Sequence, residues 1–123
     1  SVVQITDTGY LNQKYFAKLK NKNMYIMESN HNLEMLMNGR YPKWLKMRVA
    51  SDVGHLSNES SAFYLSKLKG KDTKKIILAH LSEENNTPEI ALETLRNELL
   101  ENNIEFTNYE VVKQYEKTES VEV

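Results

Sequence analysis

The chain has 123 residues, of which 40% are hydrophobic and 27% are charged, and its formal net charge is −1. This composition is typical of a globular domain and gives no global electrostatic reason to expect nucleic-acid binding. The absence of cysteine excludes a disulfide scaffold and cysteine-ligated zinc, so any metal must be held by His, Asp or Glu. No apolar run has a membrane-spanning length and no signal-peptide pattern is present, which predicts a cytoplasmic protein with no membrane partner.

The first part of the chain predicts two strands with a short helix between them. Residues 2–5 begin abruptly as a strand, as expected of a chain cut out of a longer sheet, and they end at the turn-forming Asp-Thr-Gly run 7–9. Helical spacing of apolar residues follows at about 12–20. The apolar run 24–27 predicts a strand that is buried on both faces and ends at Glu28.

The rest of the chain predicts three helices and two strands. The helices are expected to begin at Pro42, at the N-cap Ser57 and at Thr87, and the strands to cover 76–79 and 109–113. The predicted buried residues of the second and third helices are Ala62, Leu65, Leu68, Ala91, Leu95 and Leu99. Strands that alternate with helices indicate one α/β domain.

Ionisable residues follow the predicted strands. Asp7, Glu28 and His80 each come at the end of an apolar strand, and His55 follows a glycine between two predicted helices. Sites of α/β proteins gather beyond the carboxyl ends of their strands. An Asp, a Glu and two His at one edge would make either a metal site or an acid–base site, although each of them alone is as well explained by a turn or a cap.

Four separated segments carry a resemblance to a known family. They are Ile-Thr-Asp-Thr-Gly-Tyr at 5–10, Met-Glu-Ser-Asn-His-Asn at 27–32, Asp-Val-Gly-His-Leu-Ser-Asn at 52–58 and Leu-Ala-His-Leu-Ser-Glu-Glu-Asn-Asn at 78–86. In this order they resemble the YycJ (WalJ, VicX) branch of the metallo-β-lactamase-fold hydrolases. They are also similar to the transfer-RNA 3′-processing nucleases of that superfamily. The resemblance implies that residues 1–123 are the C-terminal half of one αββα sandwich. The charged composition of 116–123 predicts a tail that is frayed or lies at an edge.

The resemblance also implies roles for single residues. Asp7 matches the carboxylate that bridges two metal ions, and His80 matches the last metal-ligand His of the fold. Glu28 and His55 match the pair that transfers a proton to the leaving oxygen in the nuclease relatives. Ser82 lies where a donor to phosphate is expected. The implied cofactors are two divalent ions, zinc or manganese, because imidazole and carboxylate ligands suit both.

Three further residues remain outside those motif roles. His31 belongs to the branch's Glu-Ser-Asn-His string, and no role follows for it. Lys43 and Lys46 are candidate contacts to a nucleic-acid backbone. They belong to a basic cluster that is interleaved with Tyr41 and Trp44 and consists of Arg40, Lys43, Lys46 and Arg48. The alternative for this cluster is a solvated helix face whose aromatic residues pack inward.

The superfamily's His-x-His-x-Asp-His segment does not occur in the chain. Since Asp7 and His80 alone cannot close a metal site, we expect weak metal binding at most and no turnover by the isolated chain. The expected partners are the missing N-terminal half of the same domain and nucleic acid, with self-association of the isolated chain. The function implied is part of a metal-dependent nuclease or phosphodiesterase.

Two other functions compete with this interpretation. The first is a non-catalytic interaction or assembly domain, in which the four motifs have no catalytic role. A natural gene product of this length that binds no metal would support this interpretation. An Asp-Thr-Gly run after an apolar strand is also typical of retropepsin-like aspartic proteases. That fold is nearly all β, whereas this chain predicts several helices, so the protease interpretation is the weakest of the three.

Overall fold

The computed structural model describes residues 1–112 and places four strands in one parallel sheet, in the order β1-β2-β3-β4. The strands are β1 (Val2–Ile5), β2 (Met24–Glu28), β3 (Lys75–Ala79) and β4 (Tyr109–Val111). The helices are a 3-10 turn at Gln13–Tyr15, α1 (Phe16–Leu19), α2 (Leu33–Asn38), α3 (Lys43–Ala50), α4 (Asn58–Leu68) and α5 (Pro88–Glu101). Helices supply the crossovers that parallel neighbours require, which confirms the predicted α/β class.

One face of the sheet carries the hydrophobic core. Tyr25 and Met27 of β2 and Ile76 and Leu78 of β3 are buried on the same side, because side chains alternate along a strand. They form one cluster with Ala62, Leu65, Leu68, Ala91, Leu95 and Leu99 of α4 and α5. The predicted buried stripes of both helices are therefore confirmed. Burial of each large apolar side chain in this cluster contributes about 1.5–3 kcal/mol.

The opposite face of the sheet is only partly buried. Ile26 and Ile77 are neighbours in the register of β2 and β3 and are half-buried, and Gln4 beside them is exposed. The prediction that residues 24–27 are buried on both faces is wrong within the described part, because α4 and α5 pack on the Tyr25 side. One helical layer on one parallel sheet is the arrangement expected of half of a metallo-β-lactamase sandwich.

Side-chain caps fix where the helices begin. Ser57 and Thr87 each accept a hydrogen bond from the backbone N–H three residues further on, so the predicted starts of α4 and α5 are confirmed. Pro42 precedes α3 as its N-cap residue rather than lying within its first turn. The sequence predicted no helix for α2, although Asn32 caps that helix in the same way as Ser57 and Thr87 cap theirs.

The C-terminal strand is shorter in the structure than predicted. It covers Tyr109–Val111, and the remainder of the predicted strand at Lys113 and the charged segment 116–123 lie outside the described residues. Among residues 1–112, no helix combines the length and the apolar character needed to cross a membrane.

Candidate active site

Three strands bring three ionisable residues to one edge of the sheet. Asp7 follows β1, Glu28 ends β2 and His80 follows β3, and these strands are neighbours that run in the same direction. Nδ1 of His80 lies 3.8 Å from a carboxylate oxygen of Asp7 and 4.0 Å from one of Glu28. The predicted gathering of these residues at the carboxyl ends of the strands is therefore present in the structure.

Glu28 lies at the centre of this group. Its carboxylate is fully buried, and one oxygen accepts a hydrogen bond from Nδ1 of His55 at 2.5 Å. The other oxygen accepts the backbone N–H of Asp7. A buried carboxylate is tolerated only with such partners, so the side chain of Glu28 ties the loop after β1 to the loop that carries His55.

The environment of His55 favours its charged form. The hydrogen bond to Glu28 raises the pKa of His55 most, partial burial opposes this, and the charges of Glu28 and Asp7 raise it further. The imidazole is partly accessible, with 39% of its side chain exposed. Since Glu28 holds Nδ1, the nitrogen left to face other groups is Nε2, which gives His55 a fixed orientation for donating a proton.

Two glycines allow close backbone approaches here: Gly54 packs against the end of α3, and Gly9 packs the loop of Asp7 against the segment before His55. A side chain on Gly54 would lie 2.3 Å from the carbonyl oxygen of Arg48, and one on Gly9 would lie 1.9 Å from that of Ser51. The N–H of Gly9 also donates to the carbonyl of Asp52 at 3.0 Å. The tight approach predicted for the glycine before His55 is therefore present, and Gly9 makes a second one.

The donor set at this edge fits a divalent cation. Asp7, Glu28 and His55 each offer a ligand atom, and these atoms lie within 4.8 Å of one another. His80 adds an imidazole at the same edge. Carboxylate and imidazole groups are ligands that zinc and manganese accept. Glu28 and His55 are already paired with each other, so Asp7 and His80, the two residues that the motif resemblance assigned to metal, are the groups most available to an ion.

A cavity of about 540 Å³ opens beside His55. It is lined by Asn30, Tyr41, Val49, His55, Ser82, Glu83 and Glu84. The hydroxyl oxygen of Ser82 accepts the backbone N–H groups of Glu84 and Asn85, so its proton is left for a bound acceptor. Asn30 was not singled out from the sequence, although it follows a buried strand and precedes a helix, which was the available signal. Tyr41 was noted only as part of the basic cluster, and it lies in the loop between α2 and α3.

Two side chains of the predicted basic cluster are already bonded within the protein and are therefore less available to nucleic acid than the sequence implied. Arg40 makes two hydrogen bonds of 2.8 and 2.9 Å to the carboxylate of Glu84, and Lys46 donates to the carbonyl of Met37 at 2.7 Å. Lys43 is exposed and makes no ion pair within residues 1–112. Trp44 is 68% exposed, so the expectation that the aromatic residues of this cluster pack inward is wrong for Trp44.

His31 is buried and neutral. It is 1% exposed, and burial, followed by the charge of His55, lowers the pKa of His31 to about 4. Its Nδ1 lies 3.1 Å from the side-chain oxygen of Asn30, and Nε2 has no hydrogen-bond partner among the described residues.

Comparison with known proteins finds relatives with named activities. The chain is 46% identical over 99 residues to exodeoxyribonuclease WalJ of Streptococcus pneumoniae, in both the D39 and the R6 strains. It is 47% identical over 87 residues to exodeoxyribonuclease YycJ of Bacillus anthracis. These matches cover 80% and 71% of this chain but only 37% and 33% of the relatives, so the chain spans about a third of their length. No protein-family model matches the chain.

Proposed function

Because this chain is of the YycJ/WalJ type over about four fifths of its length, we propose that it forms part of a two-metal nuclease acting on DNA. In this proposal, residues 1–123 belong to one metallo-β-lactamase-like domain, and the rest of that domain is supplied by an N-terminal half. The partial coverage of the relatives supports this division. A cytoplasmic location belongs to the same proposal.

The observation that carries the proposal is the buried Glu28 carboxylate with His55 on one oxygen and Asp7 and His80 beside the other. Asp7 and His80 would hold metal ions, together with ligands from the N-terminal half. Two such ions lower the pKa of a water molecule and neutralise charge on an attacked phosphodiester.

His55 would supply the proton that the reaction needs. Hydrolysis adds water to phosphorus and breaks the bond to a sugar oxygen, which takes up a proton as it leaves. His55 donates that proton from Nε2, because Glu28 occupies Nδ1 and stabilises the imidazolium. After the step, Glu28 keeps the neutral ring in the same orientation until it takes up a proton from solvent.

The cavity next to His55 would receive the nucleotide. The free hydroxyl proton of Ser82 would bind a phosphate oxygen. Lys43, which is exposed, would contact the DNA backbone further along the strand, whereas Lys46 would have to leave the carbonyl of Met37 to do so. Lys43 is therefore the stronger of the two predicted contacts.

The test compares two leaving groups in the full-length protein. His55→Asn is expected to slow cleavage of DNA by a factor of about 10² to 10⁴, the usual contribution of a general acid. A nucleotide p-nitrophenyl ester needs no proton on its leaving oxygen, so its hydrolysis should slow far less. Equal losses on both substrates would contradict the assignment of His55 as the acid.

The second candidate is a non-catalytic assembly domain. The partly exposed sheet face around Ile26 and Ile77 supports it, because such a face favours pairing with another chain. A full-length protein that hydrolyses neither DNA nor the p-nitrophenyl ester would favour this function.

A further inference from the structure

Both proposed metal-ligand residues have an unusual backbone. Asp7 has a φ of 60° and His80 a φ of 59°, which is the left-handed region that non-glycine residues rarely adopt. Such a conformation is unfavourable for a residue with a side chain, so surrounding contacts must hold it. These contacts decide whether the two side chains reach the same point in space.

The segment that follows β2 supplies the contacts on both sides. Towards β1, Glu28 accepts the backbone N–H of Asp7. Towards β3, the side-chain amide of Asn30 donates to the carbonyl of His80 at 2.9 Å. Two backbone hydrogen bonds also lie on either side of His80 in the chain. The N–H of Ser29 donates to the carbonyl of Ala79 at 2.9 Å, and the N–H of Ser82 donates to the carbonyl of Asn30 at 2.7 Å.

The amide of Asn30 is in turn oriented by His31. The side-chain nitrogen of Asn30 donates to the carbonyl of His80, so the side-chain oxygen of Asn30 faces Nδ1 of His31. Because that oxygen can only accept, Nδ1 of His31 must carry the proton. His31 is itself anchored, since its carbonyl accepts the N–H of Asn58 at 2.7 Å. With its proton on Nδ1, the buried imidazole thus supports the orientation in which the amide nitrogen of Asn30 faces the carbonyl of His80.

We propose that Asn30, oriented by His31, is a positioning residue that holds the left-handed backbone of His80 so that its imidazole points at Asp7 and Glu28. This inference rests on the proposed function for the metal at His80, and it gives His31 the role that its motif left open. Neighbours that orient a metal ligand typically change metal affinity by about 10- to 100-fold when they are replaced.

The test is the metal affinity of the full-length protein, measured by competition with a chromophoric zinc chelator. Asn30→Asp keeps the shape of the side chain but replaces the donor to His80 with a carboxylate oxygen. We expect affinity to fall by about 10- to 100-fold. Asn108→Asp is the matched control, because it also removes an amide that donates to a backbone carbonyl, that of Lys74, but at the opposite end of the strands.

Two further variants separate positioning from general structure. In a His80→Ala background, Asn30→Asp should cause no additional loss of zinc affinity, since the imidazole that Asn30 positions is absent. Should Asn30→Asp fail to fold, His31→Leu, which removes the donor to Asn30 together with the buried imidazole, should weaken zinc binding in the same direction. Unchanged affinity in a folded variant, or an undiminished effect in the His80→Ala background, would overturn the proposal.

DNA hydrolysis is measured on the same samples and reports on the proposed function alone. A wild-type protein that binds zinc through His80 without cutting DNA would refute the nuclease and leave the positioning role standing. A protein that cuts DNA but shows equal zinc affinity for wild type and Asn30→Asp would refute only the positioning role. A wild-type protein without zinc affinity would refute both.

Discussion

The buried imidazole of His31 makes the stability of the protein depend on pH. Burial lowers the pKa of His31 to about 4, whereas an unfolded chain has the ordinary value of 6.5. At a pH between these two pKa values, His31 is protonated in the unfolded state but not in the folded state. The contribution of His31 to the free energy of unfolding is therefore fully present above pH 6.5 and is lost as the pH falls towards 4.

The size of this effect follows from the two pKa values. A gap of about 2.5 pKa units corresponds to at most about 3.4 kcal/mol, of which about 2.5 kcal/mol is lost by pH 4.5. The raised pKa of His55 works in the opposite direction and offsets part of the loss. Comparison with a variant that keeps His55 and lacks His31 isolates the contribution of His31.

The assay is urea denaturation of wild type and His31→Gln at pH 7.0 and pH 4.5. From pH 7.0 to pH 4.5, the free energy of unfolding of wild type should fall by about 2.5 kcal/mol more than that of the variant. His31→Gln should be less stable at pH 7.0, because its site was packed for an imidazole. If both proteins lose the same free energy on acidification, the argument that His31 is held neutral by burial is refuted.

Three other predictions concern binding. The isolated chain should bind zinc no more tightly than the micromolar range in isothermal titration, because part of the ligand set lies elsewhere, and submicromolar binding would contradict this. Reversing charge with Lys43→Glu and Lys46→Glu should weaken DNA binding by the full-length protein by about tenfold or more, while Lys71→Glu leaves it unchanged. Self-association of the isolated chain in sedimentation should be lost in Ile77→Lys, which alters the open sheet face; a monomeric wild type at micromolar concentration would argue against that interface.

The fold was largely predictable because its signals are local. Ser57 and Thr87 are caps that act over three residues, and the stripes of α4 and α5 repeat at helical spacing. The apolar strands also followed from short runs of sequence. The prediction failed where burial depends on a distant layer: Ile26 and Trp44 are apolar, yet no layer within residues 1–112 fully covers them.

The candidate site was predictable only in part. That Asp7, Glu28 and His80 share an edge follows from parallel strands, which is a rule of topology. The hydrogen bond between Glu28 and His55 joins residues 27 positions apart, and only the family resemblance indicated it. Asn30 was missed because its position after β2 does not distinguish it from the other polar residues of that loop, and its role depends on where the backbone of His80 lies.

The central claim is that Asp7 and His80 belong to a two-metal nuclease site. Metal analysis of the purified full-length protein tests it most directly, combined with DNA hydrolysis by the same sample. The account predicts about two metal ions per chain, and loss of both metal and hydrolysis in the Asp7→Ala, His80→Ala double variant. Hydrolysis and metal content that survive the double substitution would contradict it.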